Sequence, residues 1–309
     1  MKPISLAVLR GGELPPRLSD LSKPPKILFI RGELPRGPSV AIVGTRAPTP
    51  EGMRFARTLA AELARAGVAV LSGGALGIDT EAHLGALQAR GVTGVIAPAG
   101  FESPYPPENQ ELFERILQRG GAYASLVEDH VSATRAAFFA RNACLAALAW
   151  ATVVVQAGFR SGARNAACAA RRLGRPLFAV PWSPFLGKGQ GCLAELRLGA
   201  RLCERTRDVL EVLESLGAHP IPPAPARRRA RRPRVEALQQ LPFDATLDEA
   251  ELASRITNCV ARGARNIDEV AVLAGLPVAA VNRVLLTLRL QGVLVSAASG
   301  QLSLLKSSD

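Results

Sequence analysis

Cysteine, histidine and aromatic side chains are all scarce in this 309-residue chain. The five cysteines (144, 168, 192, 203 and 259) are widely spaced, with no CxxC pair. An odd count without local pairing argues against a disulfide framework and against a structural zinc site, and it fits a reducing compartment such as the cytoplasm. The three histidines, His83, His130 and His219, leave little for a histidine-ligated metal. Any Ser–His–Asp triad would have to draw on one of them. Aromatics make up only 5% of residues, so few positions can stack on a base. No apolar run reaches the length of a membrane-spanning helix, so no membrane association is expected. Near the N-terminus the apolar run Ile4–Leu9 is shorter than a secretory h-region and meets Arg10 at once, so no signal peptide is expected.

Acidic residues are also in deficit: 26 against 38 basic, a net charge of +12. Residues 1–216 carry net +8, residues 217–234 net +6 and residues 235–309 net −2. A basic main body makes a polyanion the leading partner class, although positive charge also serves solubility. With 48% hydrophobic residues there is ample material for a core, and the length suits about two domains.

The clearest boundary is GAHPIPPAPARRRARRPR, residues 217–234. Its five prolines exclude a helix or a central strand, and its six arginines repel one another. It reads as an extended linker, either a plain spacer or an arm that grips phosphates. The resulting division is an N-terminal lead-in (1–38), a main domain (39–216), a Pro/Arg-rich linker (217–246) and a small C-terminal domain (247–309).

Between residues 39 and 216 the pattern is an apolar run, a Gly-rich turn and an amphipathic helix, repeated. Strands are predicted at Val40–Val43, Val68–Leu71, Val92–Ala97, Ala122–Ser125, Ala151–Val155 and Pro176–Val180. Helices are predicted at Glu51–Ala66, Thr80–Arg90, Gln110–Arg119, Phe138–Trp150 and Ala163–Leu173, with Thr206–Leu216 closing the domain. This alternation predicts an α/β fold: a doubly wound, Rossmann-like, mostly parallel sheet with helices on both faces.

Ligands of such sheets bind beyond the carboxyl ends of the strands. The segments there are Gly44-Thr45-Arg46, Ser72-Gly73-Gly74 running on to Asp79, Pro98–Asn109, and Gly158-Phe159-Arg160-Ser161-Gly162. Glycine beside a hydroxyl lets backbone amides and a side-chain donor approach a phosphate, and it also simply turns a chain. Three such loops on one edge, with Arg46 and Arg160, favour a phosphate-binding surface. Phe138, Phe139 and Phe159 lie beside these loops as base-stacking candidates, with core packing as the alternative for the first two.

The C-terminal segment has a helix–helix–turn–helix rhythm. Leu252, Ile256 and Val260 mark a first helix, Ile267–Ala274 a second with Asn266 as N-cap, and Val278–Leu290 a third. Gly292–Ser296 and Gln301–Leu304 read as a wing. The third helix offers Asn282, Arg283 and Arg289, with Gln291 just beyond, in a domain of net negative charge. A protein-contact or accessory role is therefore favoured over strong duplex binding.

Six ordered motifs resemble the DprA or Smf family of DNA-processing proteins: Val40-Ala-Ile-Val-Gly-Thr-Arg46, Ser72-Gly-Gly-Ala-Leu-Gly-Ile-Asp79 with Ala82-His83, Tyr105-Pro-Pro-Glu-Asn109, Phe138 with Arg141-Asn142, Ser161-Gly162, and Phe178-Ala-Val-Pro181 followed by Gly191-Cys192. The segment from Leu14 to Gly32 resembles the family's lead-in, and the tail resembles its frequent winged-helix appendage. The resemblance implies an extended Rossmann core, binding of single-stranded DNA, a homodimer, and delivery of incoming DNA to the RecA recombinase in natural transformation. The helical domain that often precedes the core is not expected here. The resemblance adds Arg141 and Asn142 to the candidates. The DNA- and phosphate-binding set is thus Gly44, Thr45, Arg46, Ser72, Gly73, Gly74, Arg141, Asn142, Arg160, Ser161, Gly162 and Arg164, with no catalytic residue, metal or cofactor. Against the family pattern an arginine is replaced by Leu76, a second by Ala143, an acid by Gln156 and a glycine by Trp182. Arg160 and Arg164 are the candidates to compensate for the two lost cations.

Two other functions compete with this reading. One is hydrolysis of nucleotide N-glycosidic bonds, as in Rossmann proteins of similar topology. Those carry a PGGxGT loop and a catalytic Glu, whereas here the loop reads Ala157-Gly-Phe-Arg-Ser-Gly162 and no acid follows before Glu195. Asp79, His83 and Glu108 are the acid–base candidates near the loops. The other is a nucleotide sensor whose tail contacts a promoter or a partner protein.

Overall fold

The structure is a computed structural model that describes residues 5–218, 248–264, 266–291, 293–296 and 302–304. The chain divides into two compact units, Met1–Ala226 and Arg227–Asp309. Residues 219–246 of the expected linker lie outside the described residues, as does His219.

The first unit is built on a nine-stranded sheet. Its strands are β1 (Leu6–Arg10), β2 (Ile27–Gly32), β3 (Ser39–Val43), β4 (Ala69–Ser72), β5 (Thr93–Ala97), β6 (Ala122–Ser125), β7 (Ala151–Val154), β8 (Leu177–Ala179) and β9 (Arg201–Leu202). The spatial order is β1-β2-β6-β5-β4-β3-β7-β8-β9. The stretch from β6 to β9 is parallel throughout. The lead-in supplies two strands of this sheet: β1 pairs antiparallel with β2, and β2 antiparallel with β6. No strand was expected there. Leu28 and Ile30 point inward at the two-residue strand period, whereas β1, Leu-Ala-Val-Leu-Arg, lies mostly exposed and its short apolar run shows no alternation.

Helices α1 (Pro50–Arg65), α2 (Ile78–Gln88), α3 (Gln110–Gln118), α4 (Arg135–Leu148), α5 (Ala163–Arg172), α6 (Gln190–Arg197) and α7 (Thr206–Ser215) cover the sheet. Alternate β3 residues serve opposite faces. Val40 and Ile42 pack with α1, α2 and α7, while Ala41 and Val43 pack with α4 and α5. All are buried, which is why the strand reads as a continuous apolar run. Helix α4 begins three residues earlier than its apolar pattern predicts, because Thr134 caps it by accepting from the Ala137 amide at 3.2 Å. Phe138 consequently lies in the first turns, near the sheet edge.

The second unit contains α8 (Glu249–Ala261), α9 (Ile267–Ala274), α10 (Val278–Leu290) and the antiparallel pair β10 (Leu294–Ser296) and β11 (Leu302–Leu304). Leu252, Ile256, Val281, Leu285 and Leu294 share its core. Asn266 caps α9 by accepting from the Glu269 amide at 2.8 Å, and Gly275 ends it at φ 65°. Three helices and a two-stranded wing make a winged-helix domain. Asn282, Arg283 and Gln291 are exposed, while the side chain of Arg289 lies outside the described residues.

Candidate nucleic-acid interface

Strand order reverses between β3 and β7. From β3 the chain winds towards β4, and from β7 towards β8, so the loops leaving these neighbours diverge and open a crevice. A cleft of about 370 Å³ occupies it. Gly44, Thr45 and Arg46 line it from the end of β3, Ala75 and Asp79 from the approach to α2, Phe138, Phe139, Arg141 and Asn142 from α4, and Ser161, Gly162 and Asn165 from the start of α5.

Gly44 is required by space: a Cβ there would lie 2.5 Å from Ile78 Cγ1 and 2.9 Å from the Gln156 carbonyl oxygen. The Thr45 amide donates to the Gln156 carbonyl at 2.7 Å, and the Thr45 carbonyl accepts from the Ile78 amide. The Gln156 side chain accepts from the Thr49 amide at 2.8 Å and donates to the Thr49 hydroxyl at 3.1 Å, tying down the start of α1. An amide does both jobs with no charge.

Arg46 is exposed at the rim. Its Nη1 donates to the Tyr105 hydroxyl at 3.2 Å, and its guanidinium lies 5.5 Å from the Tyr105 ring and 5.3 Å from the Phe138 ring. The two rings meet edge to face at 5.2 Å. Arg141 flanks Phe138 as well, at 5.7 Å. Both guanidinium groups thus lie against the Phe138 ring. Arg46 meets no acid among the described residues, whereas Arg141 shares its buried site with Asp79.

Arg141 is only 5% exposed, yet among the described residues its guanidinium donates no hydrogen bond, and its Nε is buried without a partner. Its nearest acid is Asp79, with Nη1 at 3.9 Å from Oδ2. Asp79 is itself buried and accepts from the Gly73 and Ala75 amides at 3.2 and 3.3 Å. Burial pushes its carboxyl above the usual range, opposed by Arg141 and these amides, and burial likewise lowers Arg141 from its ordinary value. Gly73 makes the arrangement possible, since a Cβ on it would fall 1.1 Å from Arg141 Nη1.

The other candidates divide. Asn142 donates to the Gly162 carbonyl at 3.3 Å, and the Ser161 hydroxyl accepts from the Ala163 amide, which holds this turn against α4. Ser72, Gly73 and Gly74 are taken up inside the fold. The Ser72 hydroxyl is buried and donates to the Ile42 carbonyl, the Gly73 amide serves Asp79, and the Gly74 carbonyl accepts from Asn109 Nδ2. Asn109 donates also to the Thr80 hydroxyl, so the Tyr105–Asn109 motif is a strut beneath the loop. Arg164 donates to Glu195 at 2.7 Å and to the Phe159 carbonyl, and Arg171 pairs with the same Glu195. Arg164 thus turns away from the cleft. Arg160 is exposed and meets no acid among the described residues, but it lies outside the cleft lining.

Phe139 is 51% exposed and Phe159 63%, so neither is a core residue, while Phe138 is half-buried. His83 is fully buried with Nδ1 2.8 Å from the Thr93 hydroxyl, and burial lowers it to about 3, so it stays neutral. Glu108 is exposed and away from the cleft. Sequence reasoning missed Tyr105 as a support for Arg46, although the Tyr-Pro-Pro-Glu-Asn string marked it. It also missed Phe185, which is 97% exposed. Among the described residues no helix is long and apolar enough to cross a membrane.

Comparison with known proteins places this geometry. Residues 5–214 match the DNA recombination-mediator protein A family, and residues 240–300 match the DprA winged helix domain. The DNA processing protein DprA of Mycobacterium tuberculosis is 41% identical over 242 residues, covering 76% of this chain but 62% of that protein, so the chain matches less than two thirds of its relative's length. The Smf protein of Escherichia coli is 33% identical over 293 residues, covering 94% of this chain and 75% of its own. Among solved structures, DNA processing protein A of Helicobacter pylori, described for its single-stranded DNA binding mode, aligns with a TM-score of 0.62 at 30% identity over 69% of this chain and 97% of that one. The Streptococcus pneumoniae DprA aligns with a TM-score of 0.63 at 31% identity over 67% of this chain and 74% of that one. With both units matched and relatives this similar over most of its length, the chain belongs to the DprA/Smf family of DNA-processing proteins.

Proposed function

We propose that this protein binds single-stranded DNA without altering it chemically, holding the strand by its phosphates in the cleft between β3 and β7. One observation carries the reading: Arg141 is buried at the cleft, its Nε has no partner, and its one acid among the described residues, Asp79, stands off at 3.9 Å. Buried polar groups are normally satisfied, and a charged one left open beside a crevice awaits an anion. Arg46 supplies a second cation against the same Phe138 ring, and planar guanidinium groups suit paired phosphate oxygens. Phe139 and Phe159 are exposed nearby for stacking, at about 1–3 kcal/mol per base. The Helicobacter pylori relative's binding of single-stranded DNA supports the same assignment.

Beyond binding, the family implies a cytoplasmic homodimer that protects incoming DNA and passes it to RecA during transformation. These steps belong to the same proposal. Asp79 is the one cleft residue that a nucleotide hydrolase would use, but its Oδ2 already takes two backbone amides and faces Arg141. Incubation with nucleoside monophosphates is expected to release no free base.

The deciding experiment is anisotropy of a labelled oligothymidine across a salt series for wild type, Arg46→Ala and Arg141→Ala. Each variant should bind more weakly, with a salt slope shallower by about 0.7. If neither binds more weakly, the site assignment is wrong. RecA filament assembly on single strands should start sooner with this protein; unchanged assembly would remove the hand-over step.

A further inference from the structure

A second basic groove lies on the helical layer that covers the other side of the parallel sheet. It has a volume of about 540 Å³ and is lined by Arg57, Arg115 and Arg119, with Leu84 and Leu87 between them. Gln88 and Gln118 add amide groups, and no acidic side chain is among the lining residues.

Close packing on one side explains how the groove is built. Helices α1 and α2 approach tightly at Gly85, where a Cβ would fall 2.2 Å from the Arg57 carbonyl oxygen. Helix α3 packs through Phe113 and Ile116 in a cluster with Tyr123 and Val95, with Leu84 and Leu87 of α2 packed on the same cluster. The groove runs over those leucines. Arg57 is held at one wall by Glu81, Nε to Oε2 at 2.6 Å. On the opposite wall Arg115 and Arg119 are one helical turn apart and exposed, and neither meets an acid among the described residues.

An arginine in the last turn of a helix complements the helix dipole, and that accounts for Arg115 as a single residue. It does not account for Arg115 and Arg119 standing together, neither meeting an acid among the described residues, across a groove from Arg57, whose charge Glu81 already balances. Two such neighbouring cations repel each other unless an anion lies between them. The volume exceeds that of a lone phosphate, and the leucine floor suits the apolar faces of sugar and base.

The geometry points to a second phosphate-binding groove, in which Arg115 and Arg119 hold a further stretch of a single-stranded polynucleotide backbone. This rests on the cleft reading above, and extends it. From Asp79 in the cleft to Gln88 in the groove, α2 spans roughly 14 Å, within reach of a few nucleotides. A long strand reaches both places, whereas a very short one fills the cleft alone.

The test compares dT35 with dT4 on the full chain. The Arg115→Ala/Arg119→Ala double variant should bind dT35 with a log–log salt slope shallower by about 1.4, and dT4 as wild type does. In wild type, dT35 and not dT4 should protect Arg115 and Arg119 from an arginine-selective reagent, a readout that needs no variant to fold. An unchanged dT35 slope, equal losses on both oligonucleotides, or protection by free ATP but not by dT35 would each overturn the groove. The cleft reading is scored separately: Arg46→Ala weakens dT4 if that reading holds, and protection of Arg115 reports on the groove either way.

Discussion

Replacing Gly73 by alanine adds one methyl group at the most crowded point of the cleft. The new Cβ would lie 1.1 Å from Arg141 Nη1 and 2.3 Å from Cζ, so the guanidinium must leave its seat. It is the far end of a flexible side chain and can turn into the cleft, where water is available. Asp79 cannot follow, being buried at the start of α2, and it keeps its two amide donors while losing the cation. Splitting a fully buried pair costs about 3–5 kcal/mol. Here the released charge reaches solvent and the carboxylate stays hydrogen-bonded, so about 1–3 kcal/mol is expected. DNA binding should suffer in a distinctive way. Arg141 is still present, so the number of phosphates neutralised, and with it the salt slope, stays the same. Its side chain must instead be ordered on binding, at about 0.5–1.5 kcal/mol, which is roughly a two- to twelvefold loss of affinity. Arg141→Ala, in contrast, should flatten the slope. Urea denaturation and a salt series of oligothymidine binding measure both effects. A Gly73→Ala protein with wild-type stability and wild-type affinity would refute the idea that this glycine seats Arg141.

Tyr105→Ala should release Arg46 from its ring and hydroxyl and weaken oligothymidine binding roughly two- to twelvefold by anisotropy, whereas Tyr105→Phe, which loses only the 3.2 Å hydrogen bond, should lose less. His83 is expected to make the fold acid-sensitive. Its folded value of about 3 lies below the unfolded 6.5, so its neutral form stabilises the protein above pH 6.5 and that contribution is lost as pH falls towards 3. At pH 5 the loss is about 2 kcal/mol. Asp79, raised in the fold, acts in the opposite sense as pH falls, so the readout is the difference in urea midpoint between wild type and His83→Leu across pH, which should shrink on acidification. Leu76→Arg, at an exposed position beside the cleft loop, adds a cation and should steepen the salt slope by about 0.7. An unchanged slope would place residue 76 off the strand's path.

The alternation of β3, Val40 and Ile42 against Ala41 and Val43, is hidden in a run where every residue is buried, yet the run itself betrays a central parallel strand. Most of the sheet was legible in that way, and so was the winged helix, whose Asn266 cap and Gly275 stop are local signals. Strand β1 was not, because an exposed edge places little demand on its sequence. The loops at the strand ends could be located, but not the partners of their donors. Ser72 looks like a phosphate ligand until the Ile42 carbonyl, 30 residues away, claims its hydroxyl. Arg164 looks like a replacement cation until Glu195, 31 residues away, takes its Nε. Such pairings arise from tertiary approach, which composition and spacing do not encode. Arg141 entered the candidates through a motif alone, and what singles it out in the structure, a buried guanidinium whose Nε has no partner among the described residues, exists only in three dimensions.

The cleft's charge follows from these pairings. Leu76 and Ala143 contribute no cation, and Arg164 does not make up for them, because Glu195 binds it together with Arg171. Arg160 meets no acid among the described residues but lies outside the cleft lining. In the proposed binding mode two arginines, both against Phe138, supply the positive charge at the centre of the cleft. Two phosphate contacts alone give a shallow salt dependence and modest affinity. Tight retention of a strand must then come from contacts that add along its length, through exposed Phe139 and Phe159, through the second groove, or through two copies on one strand, where each bound site raises the effective concentration at the next. Affinity should accordingly climb with oligonucleotide length far beyond the size of the cleft. A binder that concentrated its cations in one pocket would instead saturate after a few nucleotides.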